Sequence, residues 1–283
     1  MNSAELKKPD WIRVRQPCSN ALGHVQQTLA KNRLHTVCDE AQCPNKGECW
    51  SCGTATFMIL GDICTRNCRF CAVKTAAKAL APRADEGEAL ARAAAELGLK
   101  YVVLTSVDRD DLAGRGASHF ALCIRAVKKI NGIKVEALTP DYTEAELALI
   151  APLPPDVLAH NVETVRSLQH VRDARAGFDK SLETLKAAKR AGIPLTKSSL
   201  LLGLGEKRDE VLSAMDELRS ADVDILVMGQ YLRPSPRQIP VAEYIHPDQF
   251  ARYAEEGRVR GFKKVVSSPL ARTSYHAGDL VET

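Results

Sequence analysis

Residues 54–71 read Thr-Ala-Thr-Phe-Met-Ile-Leu-Gly-Asp-Ile-Cys-Thr-Arg-Asn-Cys-Arg-Phe-Cys, an apolar run that leads directly into three cysteines. The run from Thr54 to Leu60 is typical of a buried β-strand. Directly after it, Cys64, Cys68 and Cys71 (the barrel triad) form the spacing C-x3-C-x2-C. In parallel α/β barrels, functional side chains collect on the loops that follow the carboxyl ends of the strands. The segment therefore predicts a barrel whose first strand delivers a cysteine site to the mouth.

Beyond residue 71, strand-like apolar segments alternate with amphipathic helical segments. The predicted strands are Thr54–Leu60, Tyr101–Leu104, Ile133–Ala137, Val157–His160, Ile193–Leu202 and Val223–Met228. This alternation implies βαβ units and a parallel sheet. Because six strands are too few for an eight-stranded barrel, we expect an α/β fold with a partial, TIM-like (β/α)6 barrel.

The barrel is expected to cover residues 54–260. Residues 1–53 form an N-terminal extension with further cysteines, predicted as a helix over about 19–31 followed by a loop over 38–53. Residues 261–283 form a C-terminal extension, and both extensions are expected to cover the mouth. Polar segments follow several strands at the level of the barrel triad, and they predict a polar mouth: Thr105–Asp111, His160–Thr164, Gly203–Glu206 and Gln230–Ser235.

Composition excludes some classes of protein. The 283 residues are 45% apolar and 26% charged, as in ordinary globular proteins. No apolar run approaches the length of a membrane span, and the polar N-terminus lacks a signal-peptide pattern. We therefore expect a cytoplasmic protein with no membrane partner. In that setting, closely spaced cysteines favour metal sites over a disulfide framework, which suits small secreted domains.

The net charge of +4 is concentrated at the start of the chain. Residues 1–35 (the basic arm) carry an excess of positive residues over Glu5 and Asp10, namely Lys7, Lys8, Arg13, Arg15, Lys31 and Arg33. Two interpretations stay open: a solvated surface, or a docking surface for an acidic macromolecule. The modest charge and the lack of an aromatic-interleaved basic motif argue against nucleic acid.

Seven of the nine cysteines lie between residues 38 and 71, and six of them form two triads. Besides the barrel triad, Cys38, Cys43 and Cys49 (the N-terminal triad) form C-x4-C-x5-C. Three thiolates are one fewer than the four that close a 4Fe–4S cluster, and an open metal position is typical of catalysis. Zinc sites usually take four protein ligands and paired C-x2-C groups. The triads therefore predict two incomplete iron–sulfur sites.

The barrel triad, with Phe70 before its last cysteine, resembles the radical S-adenosylmethionine (SAM) superfamily. Within it, the N-terminal triad resembles the lipoyl synthase family, and the likeness runs from about residue 9 to the end of the chain. It continues through Gly61–Cys68, Thr105–Leu112, His160–Glu163, Gly229–Leu232 and Arg272–Ala277.

The resemblance implies a sulfurtransferase with two 4Fe–4S clusters and SAM. The barrel triad would hold the cluster whose open iron binds SAM, and the resulting 5′-deoxyadenosyl radical would abstract hydrogen from the substrate. The N-terminal triad would hold an auxiliary cluster, consumed as the source of the two sulfur atoms inserted at carbons 6 and 8 of a protein-bound octanoyl-lysine. By position, the fourth ligand of that cluster is Ser274.

Further site residues follow from the resemblance and from their place at the mouth. Ser106, Asn161 and Glu163 are candidate SAM contacts, and Lys197 either contacts SAM or closes a polar network. Arg233 is assigned to the cofactor site, near the substrate and Tyr231.

Three positions depart from the family pattern. Thr273 stands where the family has serine, so two neighbouring hydroxyls compete as the fourth ligand. Ser199 stands where glycine is usual, and Asp173 replaces a common proline. These two changes bear on substrate fit and loop shape.

The implied partners are octanoylated carrier domains, either of the acyltransferase subunits of 2-oxoacid dehydrogenases or of the glycine cleavage H protein. An electron donor such as ferredoxin or flavodoxin is also implied. Because such carriers are often acidic, they favour docking on the basic arm.

Two other functions are weighed against this one. Radical SAM enzymes that insert sulfur into biotin precursors or tRNA do not match the N-terminal triad or Arg272–Tyr275. A two-cluster electron carrier or cluster-delivery scaffold would close each cluster with four cysteines.

Overall fold

The computed structural model describes residues 6–13, 19–51, 56–275 and 277–280. Its strands are β1 (His35–Thr36), β2 (Thr56–Ile59), β3 (Ile63–Cys64), β4 (Lys74–Thr75), β5 (Tyr101–Ser106), β6 (Lys134–Leu138), β7 (Val157–Ala159), β8 (Leu195–Leu202), β9 (Ile225–Gln230) and β10 (Lys264–Ser267). Its α-helices are α1 (Ser19–Asn32), α2 (Val37–Glu40), α3 (Lys46–Ser51), α4 (Glu86–Glu96), α5 (Ala117–Val127), α6 (Glu144–Ile150), α7 (Phe178–Arg190), α8 (Arg208–Ser220) and α9 (Pro247–Val259). Short 3-10 helices cover Ala113–Gly116, Arg166–Val171 and Gly278–Leu280.

Within the described residues, the main sheet is parallel and ordered β2-β5-β6-β7-β8-β9-β10, with β1 antiparallel to β2 at one edge. Strands that follow one another in the sheet also follow one another along the chain, as right-handed βαβ crossovers produce. All six predicted strands are present, and the partial α/β barrel is confirmed. The carboxyl ends of the strands therefore share one face of the fold.

Two apolar clusters hold the helices on the sheet. One contains Leu104 of β5 and Phe120 of α5, and the other contains Leu226 of β9 and Phe250 of α9; all four side chains are 1% exposed or less. Burial of aromatic and branched side chains of this size contributes most of the stability of such a core. Among the described helices, none is long and apolar enough to cross a membrane.

The structure corrects two details of the sequence prediction. The expected loop over 38–53 contains two short helices, because the Thr36 hydroxyl accepts a hydrogen bond from the Asp39 amide and caps α2. In addition, β10 pairs with β9 as a further parallel strand beyond residue 260. Its four residues include only two apolar ones, which is too weak a pattern to indicate a strand.

Candidate active site

The barrel triad lies on the loop that follows β2. Leu60 (φ 68°) and Gly61 (φ 91°) turn the chain sharply at the end of the strand, and Cys64 on β3 then pairs in parallel with Thr75 on β4. Arg109, itself 1% exposed, donates to the Leu60 carbonyl at 2.9 Å. The loop therefore leaves the sheet at a fixed point and brings all three cysteines to the carboxyl face.

A buried arginine inside the barrel triad fixes this loop. Arg66 donates twice to Asp110, at 2.9 and 2.8 Å, and once to Asp141, at 2.8 Å. These carboxylates belong to the loops after β5 and β6, so Arg66 joins three barrel loops. The sequence prediction missed Arg66, although Asp108 and Asp110 were a signal that a buried cation lay opposite.

The thiols of the barrel triad are unbridged and half-buried. Burial raises the pKa of Cys64 to about 11 and that of Cys71 to about 12, and the nearby Asp108 carboxylate adds to the effect at Cys64. Backbone amides oppose the shift, because Arg66 N–H donates to Cys64 Sγ at 3.4 Å and Asp173 N–H donates to Cys68 Sγ at 3.3 Å. A metal group that binds here must therefore displace protons from the thiols.

The N-terminal triad lies on α2, α3 and the turn between them. Cys38 is buried, whereas Cys43 and Cys49 are half-buried. Burial raises the pKa of Cys38, and the neighbouring Cys43 adds to the shift. Asn45, between the last two cysteines, donates to the Leu270 carbonyl at 2.6 Å. The triad is thus attached to the C-terminal segment across 225 residues of sequence.

A cavity of about 480 Å³ joins the two triads. It is lined by Cys43 of the N-terminal triad, by the whole barrel triad and by Ser274. Thiol sulfurs are the donors that iron–sulfur clusters take in proteins, so the residues present fit such clusters. Three of the four polar segments predicted at the mouth contribute to the wall of this cavity, whereas Gly203–Glu206 does not line it.

Four of the predicted SAM contacts line the cavity: Ser106, Asn161, Glu163 and Arg233. The Ser106 hydroxyl is buried with no hydrogen-bond partner among the described residues, so it suits a bound polar group. Burial raises the pKa of Glu163, while Arg172 and a hydrogen bond from Asn161 oppose the rise. Arg233 donates to the carbonyls of Gln238 at 2.8 Å and Pro236 at 2.6 Å.

The fifth predicted contact, Lys197, lies elsewhere. Its ammonium is fully buried and lies 2.9 Å from both carboxylate oxygens of Glu136, which also accepts from the Tyr101 hydroxyl at 2.7 Å. Lys197 is not part of the cavity lining. The structure therefore supports the polar-network interpretation of Lys197 and does not support a contact with SAM.

The two hydroxyls that competed as fourth ligand have different surroundings. Thr273 is buried, and its hydroxyl lies 3.1 Å from Ser199 Oγ and 3.3 Å from Asn161 Oδ1. Ser274 is half-buried and lines the cavity together with Cys43. Arg272 precedes these two residues. Burial lowers the pKa of Arg272, and the nearby Cys43 opposes that shift.

Comparison with known proteins agrees with this geometry. Residues 58–218 match the family model described as the radical SAM superfamily. The chain is 52% identical to the lipoyl synthase of Stutzerimonas stutzeri over 96% of this chain and 85% of the relative, and 52% identical to that of Anaeromyxobacter dehalogenans over 98% and 95%. The fold matches the FeFe-hydrogenase maturase HydG from Carboxydothermus hydrogenoformans with a TM-score of 0.61 at 18% identity, covering 79% of this chain and 55% of that one.

Proposed function

This chain belongs to the lipoyl synthase family of the radical SAM superfamily, and from that premise we propose how its residues divide the reaction. The enzyme is a sulfurtransferase that inserts two sulfur atoms, at carbons 6 and 8, into a protein-bound octanoyl-lysine. Its cofactors are SAM and 4Fe–4S clusters. It acts on lipoyl-carrier domains.

The observation that carries the proposal is the single cavity reached by both triads and by Ser274. We assign Cys64, Cys68 and Cys71 to the SAM-binding cluster. The auxiliary cluster is assigned to the N-terminal triad and Ser274. When bound, SAM and its cluster supply hydrogen abstraction from an unactivated carbon, and the auxiliary cluster supplies the sulfur.

Ser274 is the better candidate for the fourth ligand because the hydroxyl of Thr273 is already engaged by Ser199 and Asn161. A hydroxyl oxygen is a harder donor than a thiolate and a poorer partner for iron in a sulfide cluster. It therefore suits a cluster that must lose an iron and give up sulfur.

Around the cavity, Ser106, Asn161 and Glu163 are assigned to SAM. The unpartnered hydroxyl of Ser106 supports a contact with a polar group of SAM, and the carboxylate of Glu163 supports a contact with its amino or hydroxyl groups. Arg233 stands on the rim, where its guanidinium is held by carbonyls of its own loop. That arrangement supports a fixed positive edge between cofactor and substrate.

The carrier is proposed to dock on the basic arm. Lys8 lines the cavity, Lys7 and Arg13 are exposed, and Arg15 lies outside the described residues. Charge reversal of Lys7, Arg13 and Arg15 should raise the KM for an octanoylated acyltransferase domain or H protein and leave turnover of an octanoyl-lysyl peptide unchanged. Unchanged turnover of the intact carriers would refute docking on the arm. Ferredoxin and flavodoxin are the proposed electron donors.

Anaerobic reconstitution tests the ligand assignment. Two clusters predict about eight iron atoms per chain. In the Ser274→Ala variant, we expect 5′-deoxyadenosine to be formed from SAM, but iron content to fall and thiolation of the octanoyl-lysyl peptide to be lost. Full iron content together with full thiolation would show that Ser274 is not the ligand.

A further inference from the structure

The segment that carries Ser274 lies directly on the sheet. The Ser268 amide donates to the Met228 carbonyl at 3.2 Å, and the Gln230 amide donates to the Pro269 carbonyl at 3.1 Å. Between those two strand residues, a Cβ on Gly229 would lie 2.0 Å from the Ala271 carbonyl oxygen. Only glycine allows so close an approach, so the start of the segment is fixed on β9.

The segment then makes a tight turn. The Tyr275 amide donates to the Arg272 carbonyl at 3.0 Å, which places Thr273 and Ser274 at the two central positions of a four-residue turn. The direction of the Ser274 side chain depends on how this turn is rotated about its ends. A contact that holds Thr273 therefore also sets the direction of Ser274.

Thr273 is held by a chain of hydrogen bonds. Each hydroxyl carries one proton and the Asn161 Oδ1 atom only accepts, so one arrangement satisfies both short contacts: Ser199 donates to Thr273, and Thr273 donates to Asn161. The other end of the Asn161 amide bonds the carboxylate of Glu163. The chain links β8, the turn and the loop after β7.

Both ends of the first bond are side-chain hydroxyls, so the bond depends on the serine at position 199 and on a hydroxyl at position 273. We propose that Ser199 and Thr273 are a matched pair of positioning residues that lock the turn and aim the Ser274 hydroxyl at the N-terminal triad. The effect on the cluster rests on the proposed assignment of Ser274, whereas the lock itself is a property of the protein alone.

Hydrogen–deuterium exchange of the metal-free, full-length chain tests the lock. Thr273→Val removes the hydroxyl and keeps the shape, Ser199→Ala removes the other hydroxyl, and Thr273→Ser retains the bond. We expect residues 268–275 to exchange about fivefold faster in Ser199→Ala, as loss of one buried hydrogen bond implies. Thr273→Val loses two hydrogen bonds and should exchange at least as fast as Ser199→Ala, whereas Thr273→Ser should exchange at the wild-type rate. Thr184→Val, which removes a buried hydroxyl bonded within α7, is the matched control and should leave this segment unchanged.

Iron release from the reconstituted enzyme to a ferrous chelator tests the consequence. Thr273→Val and Ser199→Ala should release about half of the iron about fivefold faster than the wild type. Because Thr273→Val already breaks the bond that Ser199→Ala breaks, the double variant should release iron no faster than Thr273→Val. Thr273→Ser should behave as the wild type, which a purely steric effect of residue 273 does not predict.

Exchange and iron release at the Thr184→Val rate in both variants would overturn the proposal. If exchange rises but iron release does not, the pair does not position the ligand and the proposal is also overturned. The Ser274→Ala variant distinguishes this result from a failure of the ligand assignment. Normal iron release in Ser274→Ala would show that Ser274 is not the ligand, while the exchange data would still decide whether the lock exists.

Discussion

The two cysteine triads share a cavity but are built in opposite ways. The barrel triad comes from a single loop of eight residues, held by buried ion pairs through Arg66. The N-terminal triad is buried only at Cys38, and it meets its proposed fourth ligand across the length of the chain through neutral hydrogen bonds such as that of Asn45. A ligand set built from one loop suits a cofactor that stays in place. A ligand set that is completed by a distant segment can lose that ligand without disturbing the loops of the barrel. Such a ligand set suits a cofactor that is consumed.

Loss of one ligand of the barrel triad is expected to have the largest effect. In Cys64→Ala, formation of 5′-deoxyadenosine should fall by more than about a hundredfold, beyond what residues that only support a ligand produce. Cys123→Ala, which alters a buried cysteine in α5, is the control and should retain this activity. Robust SAM cleavage by Cys64→Ala would show that the barrel triad does not hold the SAM-binding cluster.

Removal of the buried arginine should weaken the whole fold. Arg66→Met removes the buried cation that joins Asp110 and Asp141, although Asp110 keeps its pair with Arg175 and Asp141 keeps its pair with Lys180. We therefore expect the free energy of unfolding to fall by about 3 kcal/mol in urea titrations of the metal-free chain. The exposed Arg166, which pairs with Asp179 and Glu217, provides the comparison: Arg166→Met should cost under about 1 kcal/mol. Equal losses would mean that the buried network is no firmer than a surface pair.

The same network predicts a dependence on pH. Burial raises the pKa of Asp141, but its interactions with Arg66 and Lys180 outweigh burial and lower that pKa from 3.8 to about 2. A lowered carboxyl pKa stabilises the fold above the unfolded pKa, and the stabilisation is lost as the pH falls through the folded pKa. Asp141 should thus contribute about 2 kcal/mol at pH 5 and about half of that at pH 3.

Asp141→Asn isolates this contribution. Urea unfolding of the metal-free wild type and variant at pH 5, 4 and 3 should show a stability difference that shrinks as the pH falls. A difference that stays constant over this range would show that the carboxyl does not titrate as its surroundings imply.

The smallest effect is expected at the N-terminal triad. Asn45→Ala removes one hydrogen bond to the Leu270 carbonyl, so we expect a loss of about 1 kcal/mol. Hydrogen exchange should rise over 268–275 and stay unchanged over 61–75, because the barrel triad does not depend on this contact. Faster exchange over both segments would show that the barrel triad also depends on the Asn45 contact, and would contradict the independent support of the two triads.

Much of this arrangement could be predicted from the sequence. Most strands of the barrel are largely apolar, and the triads are local spacings, so both are visible without tertiary contacts. The role of Lys197 could not be predicted, because its partner Glu136 lies 61 residues away on another strand. A lysine that contacts SAM and a lysine that closes a polar network have the same local sequence. The choice between Thr273 and Ser274 likewise needed the position of Ser199, which only the fold brings near.

The bond from Asn45 to Leu270 spans 225 residues, and this separation has a consequence for how the protein matures. Contacts between distant residues form late in folding, because the entropy of closing a long loop must be overcome first. The loop of the barrel triad is held through Arg66 by carboxylates 44 and 75 residues away, so its contacts are closer in sequence. The ligand set of the auxiliary cluster would therefore be completed last, when the C-terminal segment docks on the rest of the chain.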